Sequence, residues 1–162
     1  MKQKRPKPSK SSADLPSAVH ESSVSKLRLR AWLNLLFAVQ EVERSLRQHL
    51  ADEFDETLAR LDVLAALSRV PDGVTMTELS GLLRLTKGNI TGLTTRLVRD
   101  GLISRHARDG RSVVVNLTSK GRELFIKMAG AHEGWLNELL GTLTSTDLRA
   151  LIDMLSKLRE GL

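Results

Sequence analysis

From residue 26 onward, apolar residues recur at three- and four-residue spacing along most of the chain. Only in residues 103–117 does the rhythm change to alternation. The first helical run, KLRLRAWLNLLFAVQEVERSLRQHL, carries two adjacent apolar stripes. Trp32, Leu35, Leu36, Val39, Val42, Leu46 and Leu50 form one, and Leu29, Leu33 and Phe37 form the other. A stripe this wide predicts burial against more than one neighbour. Residues 52–56 break the run. Thr57 can cap the next helix, LARLDVLAALSRV, whose Leu58, Leu61, Leu64, Ala65 and Leu67 face inward. Pro71-Asp72-Gly73 reads as a turn. Thr75 and Glu78 then have the spacing of a capping box, followed by Leu79, Leu82 and Leu83 at helical spacing. Thr86 is the expected N-cap of another short helix, with Ile90, Leu93 and Leu97 as its buried stripe.

Asp100-Gly101 stops that helix. Ile103, Arg105 and Ala107 alternate with Ser104, His106 and Arg108, while Val113, Val115 and Leu117 alternate with Val114 and Asn116. Asp109-Gly110 between the two runs is a strong hairpin signal. A long helix follows, with Leu124, Phe125, Met128, His132, Trp135, Leu136 and Leu139 inward and a bend expected at Gly130 and Gly134. Thr144 or Ser145 caps a last helix carrying Leu148, Leu151, Ile152, Leu155 and Leu158. No internal repeat or heptad array stands out.

Two short helices, a strand, a tight turn and a strand make a winged helix-turn-helix. The predicted fold class is therefore mainly α with a small β wing: a reader flanked by long N- and C-terminal dimerisation helices. The expected organisation is a disordered basic tail over residues 1–25, a helical dimerisation region over 26–56 and 119–162, and the winged reader over 57–118. Terminal helices that pack together and against a partner's would make a two-fold dimer. Such a dimer offers two recognition helices to successive major grooves, roughly 10 bp apart, and favours a palindromic operator in double-stranded DNA.

The face of the second short helix opposite its apolar stripe carries Gly88, Gly92, Thr95 and Arg99, flanked by Thr91 and Arg96. Lys87 and Asn89 lie in its first turn. Small side chains let a helix approach base edges, and Thr, Asn and Arg can hydrogen-bond bases or phosphates there. Each glycine costs roughly 1 kcal/mol of helix propensity against Ala, which a solvent face gives no reason to accept. The competing reading is a merely polar surface helix. Arg108 and Arg111 flank the hairpin tip at Asp109, a placement suited to minor-groove or phosphate contact.

Charge sharpens this picture. The chain has a net charge of +6 and a pI near 10.1. Most of the excess falls in residues 84–111, where Arg84, Lys87, Arg96, Arg99, Arg105, Arg108 and Arg111 face only Asp100 and Asp109. A polyanionic partner is implied, and nucleic acid is favoured over a membrane because the charge sits on a folded motif. With 162 residues, 41% of them apolar, the chain can build one globular domain. No apolar run is long enough to span a membrane. The basic start, MKQKRPKPSKSS, is not followed by the hydrophobic run of a secretory signal, so a cytoplasmic location is expected. There is no cysteine, which excludes disulfides, thiol redox sensing and a cysteine nucleophile. The four histidines, His20, His49, His106 and His132, lack metal-ligand spacing. No metal, no cofactor and no enzymatic activity are expected, since neither a glycine-rich phosphate loop nor a Ser–His–Asp constellation is present.

The stretch LVRDGLISRHARDGRSVVVNLTSKGRELF resembles the MarR family of bacterial transcriptional regulators, and the likeness extends over residues 26–158. It holds the Gly-Leu-Ile step out of the recognition helix, the Asp109-x-Arg111-Ser112 of the wing and the Leu117-Thr118-x-x-Gly121 start of the next helix. The resemblance implies that Arg111 enters the minor groove and that Asp109 helps hold it. It also implies a homodimer joined through the terminal helices and derepression by a small molecule. LRAWLNLL, TLARLDVLAAL, MTELSGLL, KGNITGL and AHEGWL are similar to the subgroup controlling aromatic-acid catabolism. That likeness implies a small aromatic effector, an aromatic acid or its CoA thioester, with Trp32, Arg60, His132 and Trp135 as ligand-binding candidates. Against this, both tryptophans can be core residues and Arg60 an ordinary salt-bridging arginine. The functional expectation is a repressor released by such a ligand. The alternative is a winged-helix protein–protein adaptor without an operator, disfavoured by a reading face that is basic rather than apolar and aromatic.

Overall fold

The computed structural model describes residues 17–83, 87–107 and 112–162. In chain order its elements are α1 (Ser17–Phe54), α2 (Leu58–Ser68), β1 (Val74–Thr75), α3 (Met76–Leu83), α4 (Lys87–Arg99), β2 (Ile103–Ala107), β3 (Val113–Leu117), α5 (Ser119–Leu139) and α6 (Ser145–Glu160). The chain divides into two units, residues 1–41 and 42–162. The described part of the first is the N-terminal portion of α1. The second holds the rest of α1, the winged reader and the two C-terminal helices. Among the described residues no helix is long and apolar enough to cross a membrane.

Helix starts follow local chemistry. The Thr57 hydroxyl accepts from the Arg60 N–H at 3.3 Å and caps α2. At α3 the expected capping box forms: the Thr75 N–H donates to Glu78 at 2.7 Å, and the Glu78 N–H donates to the Thr75 hydroxyl at 3.3 Å. Thr118 caps α5, and Thr144, not Ser145, caps α6 through a capping box with Asp147. The expected cap at Thr86 lies outside the described residues. Helix α5 runs unbroken through Gly130 and Gly134.

Three expectations need correction. Helix α1 begins at Ser17, so residues 17–25 extend the helix rather than the tail; residues 1–16 lie outside the described ones. SAVHESSVS contains no Gly or Pro, and each residue added to an existing helix gains one backbone hydrogen bond without a new nucleation cost. The helix also runs past Asp52 to Phe54, and stops where Asp55 takes φ 53°. The sheet has three strands, not two, in the order β1-β3-β2. Val74 pairs with Val115 and Thr75 with Val114, which makes β3 central. Val114 and Val115 are therefore both buried, whereas Val113, paired with Ala107 far along the wing, is exposed. Simple alternation fails on β3 for that reason.

The core of the second unit joins Leu46 and Leu50 of α1, Leu61, Val63, Leu64 and Leu67 of α2, Leu79 of α3 and Ile90, Leu93 and Leu97 of α4. Val74, Leu102, Ile103 and Val115 from the sheet region, with Met128 and Trp135 of α5, complete it. Helix α2 packs against α3 and α5, and α3 against α4. Helix α6 contributes no buried residue.

Candidate nucleic-acid interface

Helix α4 is two-sided. Ile90, Leu93 and Leu97 are buried, and Thr94 is buried with them because its hydroxyl donates to the Ile90 carbonyl at 2.9 Å. A side chain that satisfies itself on its own helix can sit in an apolar stripe without an unpaired polar atom. The other side exposes Asn89, Thr91, Gly92, Thr95, Arg96 and Arg99. No acidic residue lies anywhere on the helix. The Thr95 hydroxyl donates to the Thr91 carbonyl at 2.8 Å, Arg96 Nε to the Gly92 carbonyl at 3.3 Å, and Arg99 Nε to Asp100 at 3.2 Å. These are exposed, local bonds that a stronger acceptor such as phosphate can replace. A Cβ placed on Gly92 would meet nothing within 4 Å, so the protein's own packing does not require glycine there.

The structure thus brings Asn89, Thr91, Thr95, Arg96 and Arg99 onto one exposed face. Lys87 and Gly88 lie in the first turn of the same helix. Arg108, Asp109 and Arg111, with the Asp109-Gly110 turn, lie outside the described residues. The strand leading to them exposes Ser104, Arg105, His106 and Ala107, which adds the Arg105 charge and the polar His106 ring to the exposed surface beside α4. Both were visible in the sequence as polar strand positions, but which side of the wing is free depends on which strand is central.

The exit of α4 is firmly held. Gly101 takes φ 72°, a left-handed conformation that favours glycine. The Thr118 hydroxyl donates to the Gly101 carbonyl at 2.8 Å, and Lys120 Nζ to the Asp100 carbonyl at 2.9 Å. A Cβ at Gly121 would collide with the Leu102 carbonyl, so the start of α5 lies directly against this exit.

The candidate ligand residues are differently placed. Trp32, in the first unit, is exposed. In the second unit Trp135 is buried, stacked on His49 at a ring separation of 5.0 Å and edge-on to Phe54 at 6.2 Å. His132 is half-buried on the same helix as Trp135 and acts electrostatically on Asp62. Desolvation pushes the Asp62 carboxyl upward, His132 opposes that shift and Glu43 adds to it. Arg60 is engaged internally. Its Nη1 donates to Asp100 at 2.8 Å and its Nη2 to Glu56 at 3.0 Å, while Nε faces the second Glu56 oxygen. Burial is the largest single influence on the Arg60 pKa and lowers it, but the hydrogen bonds to Glu56 and Asp100 and their negative charges together raise the value. The Arg60 hydrogen bond, with help from Arg99, holds Asp100 below the usual carboxylate range. No sequence signal pairs Arg60 with Asp100, forty residues on. Among the described residues no group of three or more His, Asp or Glu is placed to hold a metal ion.

The sequence model described as "MarR family" matches residues 54–112, from the end of α1 to the wing. A crystal structure of a MarR family transcriptional regulator from Silicibacter pomeroyi is 35% identical, with a TM-score of 0.74 over 85% of this chain and 96% of that one. The transcriptional activatory protein BadR of Rhodopseudomonas palustris is 31% identical over 105 residues, which is 62% of this chain and 60% of BadR. The matches to the curated relatives span less than two thirds of those proteins' lengths. The fold also matches the S. aureus MepR–DNA complex, at 24% identity and a TM-score of 0.70 over 82% of this chain and 97% of that one. A winged helix-turn-helix with this wing and this α4, and with a close structural match of such coverage and identity, identifies the chain as a member of the MarR family of transcriptional regulators.

Proposed function

We propose that the protein is a homodimeric, sequence-specific DNA-binding transcriptional regulator of the cytoplasm. The two-sided α4 carries this reading: an apolar side fixed in the core, and an exposed face of Asn89, Thr91, Thr95, Arg96 and Arg99 with no acid. Arginines supply affinity for phosphate and the hydroxyl and amide side chains can read base edges. Lys87, Gly88, Arg108, Asp109 and Arg111 extend the surface by their place in the sequence. In the MepR–DNA complex a chain of this fold is seen with DNA. Dimerisation is supported by exposed Ile152, Met154 and Leu158 on α6 and, in the first unit, by exposed Leu29, Trp32, Leu33 and Phe37. A two-fold pair favours a palindromic operator.

A finer reading is repression relieved by an aromatic acid or its CoA thioester. The Trp135–His49–Phe54 ring cluster and the nearly buried Arg60 support it within the second unit, with His132 of the same unit joining by family resemblance. An acid reaching Arg60 would compete with Glu56 and Asp100 for the same guanidinium. Activation, the sign carried in the name of BadR, is separated from repression by a promoter–reporter assay.

The test of the main reading is fluorescence anisotropy with duplexes from upstream of the gene and its neighbours, and with duplexes selected from a random library. It is run at two salt concentrations, with and without p-coumarate and its CoA thioester. Selective binding that weakens steeply with salt is expected. No preference over random DNA in either set overturns the reading. Selective binding that neither compound releases overturns only the choice of effector.

A further inference from the structure

The Arg60–Asp100 pair joins two elements that the sequence gives no reason to connect. Arg60 lies in the first turn of α2, and its side chain is only 15% exposed. Asp100 follows the last residue of α4, at the point where the chain leaves the recognition helix. Glu56, 8% exposed, sits in the short link between α1 and α2. That link has a fixed geometry. The Asp55 N–H, at φ 53°, donates to the Ala51 carbonyl, and the Glu56 N–H to the Leu50 carbonyl, both at 3.1 Å. One guanidinium therefore ties the end of α1, the start of α2 and the exit of α4 together.

The planar fork of arginine is suited to this task, because it presents donors in two directions at once and keeps its charge when nearly buried. A lysine could serve Glu56 or Asp100, but not both with the same geometry. The tie is also redundant for simple chain reversal. Gly101, Thr118 and Lys120 already hold the backbone of the turn through its carbonyls. What Arg60 adds is a side-chain anchor from α2, a direction those contacts do not restrain.

We propose that Arg60 is a positioning residue for the recognition helix: by holding Glu56 and Asp100 together it sets the angle of α4 and couples it to the end of α1. This rests on the DNA-binding reading above. It assigns Arg60 a role in addition to any contact with a ligand. Because the reading face spans α4 on the side opposite the core, a small rotation about its exit moves Thr95 and Arg99 relative to the bases. Selectivity, which needs base-edge geometry, then falls more than non-specific phosphate affinity.

The experiment uses the full chain as wild type, Arg60→Met, Asp100→Asn, the double variant and Arg60→Lys. Two quantities are measured on folded protein: preference for the duplex selected by wild type over random duplex, and amide hydrogen exchange in residues 95–103. Each single variant is expected to lose about fivefold in preference, as couplings of this kind typically do, with little change on random DNA. The double variant should lose no more than either single one, and Arg60→Lys should recover only part. Faster exchange at the α4 exit should accompany the loss. A merely stabilising role would lower the melting temperature and leave the preference ratio unmoved, which overturns the proposal. If Arg60→Met fails to fold, Asp100→Asn, at a solvent-accessible helix end, decides alone. If wild type itself shows no preference, the DNA reading fails; unchanged exchange in the variants would then overturn the anchor as well, and faster exchange would retain it as a coupling of α1 to α4.

Discussion

The reader and the terminal helices use the same apolar periodicity with opposite results. In the reader, Leu61, Leu64 and Leu67 of α2, Leu79 of α3 and Ile90, Leu93 and Leu97 of α4 are all buried within one chain. In α6 the corresponding rows leave Ile152 and Met154 at 61% exposure and Leu158 at 49%. The N-terminal part of α1, considered by itself, exposes Leu27, Leu29, Trp32 and Phe37. Short helices joined by tight turns can close a core with near neighbours in sequence. The α6 row and, taken by itself, the N-terminal part of α1 leave apolar side chains exposed, and a large exposed apolar patch is a sign of a partner. The periodicity specifies the helix in both regions, but only in the reader does it also specify what covers it.

The largest expected effect falls in the reader. Leu97→Ala removes a fully buried side chain where α4 meets the core, and should destabilise the folded chain by about 2–5 kcal/mol. Urea unfolding checks it. A loss well below that range would mean that α4 is only loosely docked and that its reading face is not rigidly presented.

Next comes the face that one chain leaves open. Ile152→Asp places a charge on the exposed apolar row of α6. It should weaken the proposed homodimer roughly thirtyfold, as loss of an interface hot spot does, while reader stability stays near that of wild type. Sedimentation at several concentrations measures the first quantity and urea unfolding the second. An unchanged dimer would remove α6 from the interface and leave its apolar row without a partner.

The contrast also decides what could be read from the sequence. Caps are local, so Thr57, Thr75 with Glu78 and a cap at Thr144 or Ser145 are legible, the structure choosing Thr144. The buried stripe of α4 was legible because it repeats every three or four residues. Thr94 was not, since its burial depends on a bond to the Ile90 carbonyl that residue type does not announce. Strand β1 is only two residues long and has meaning only through its pairing with Val114 and Val115. The alternation assigned to β3 failed because that pairing makes it the central strand. In the candidate site, the exposed residues of α4 followed from helical geometry. The internal engagement of Arg60 did not, because it depends on how α2 and α4 pack.

A smaller effect separates stability from recognition on α4. Gly92 has open space around it and an ordinary helical position, so Gly92→Ala should stabilise the free protein by about 1 kcal/mol. If the helix lies close against DNA, the added methyl should also weaken selective binding about tenfold, the cost of overfilling a tight contact. Unfolding and anisotropy on the same preparation give both numbers. A gain in stability with unchanged binding would place the base contacts elsewhere on the helix.

The smallest effect belongs to the start of α6, which has no buried side chain of its own to hold it. The Thr144 hydroxyl hydrogen-bonds the Asp147 carboxylate at 2.6 Å and the Thr144 N–H donates to it at 2.9 Å. These bonds, the hydroxyl first, hold the Asp147 pKa below its ordinary value of 3.8. A carboxylate whose folded value is depressed contributes stability that is present above 3.8 and lost as pH falls through the depressed value. Wild type should therefore be slightly more stable than Asp147→Asn near neutral pH, and the gap should close as the solution is acidified below that point. Hydrogen exchange in the first turn of α6, followed from neutral to acidic pH in both proteins, measures it after correction for intrinsic rates. A gap that persists in acid would mean that the side chain acts through shape and hydrogen bonding alone. The capping box would then hold α6 without help from charge, and the helix would depend still more on what covers its apolar row.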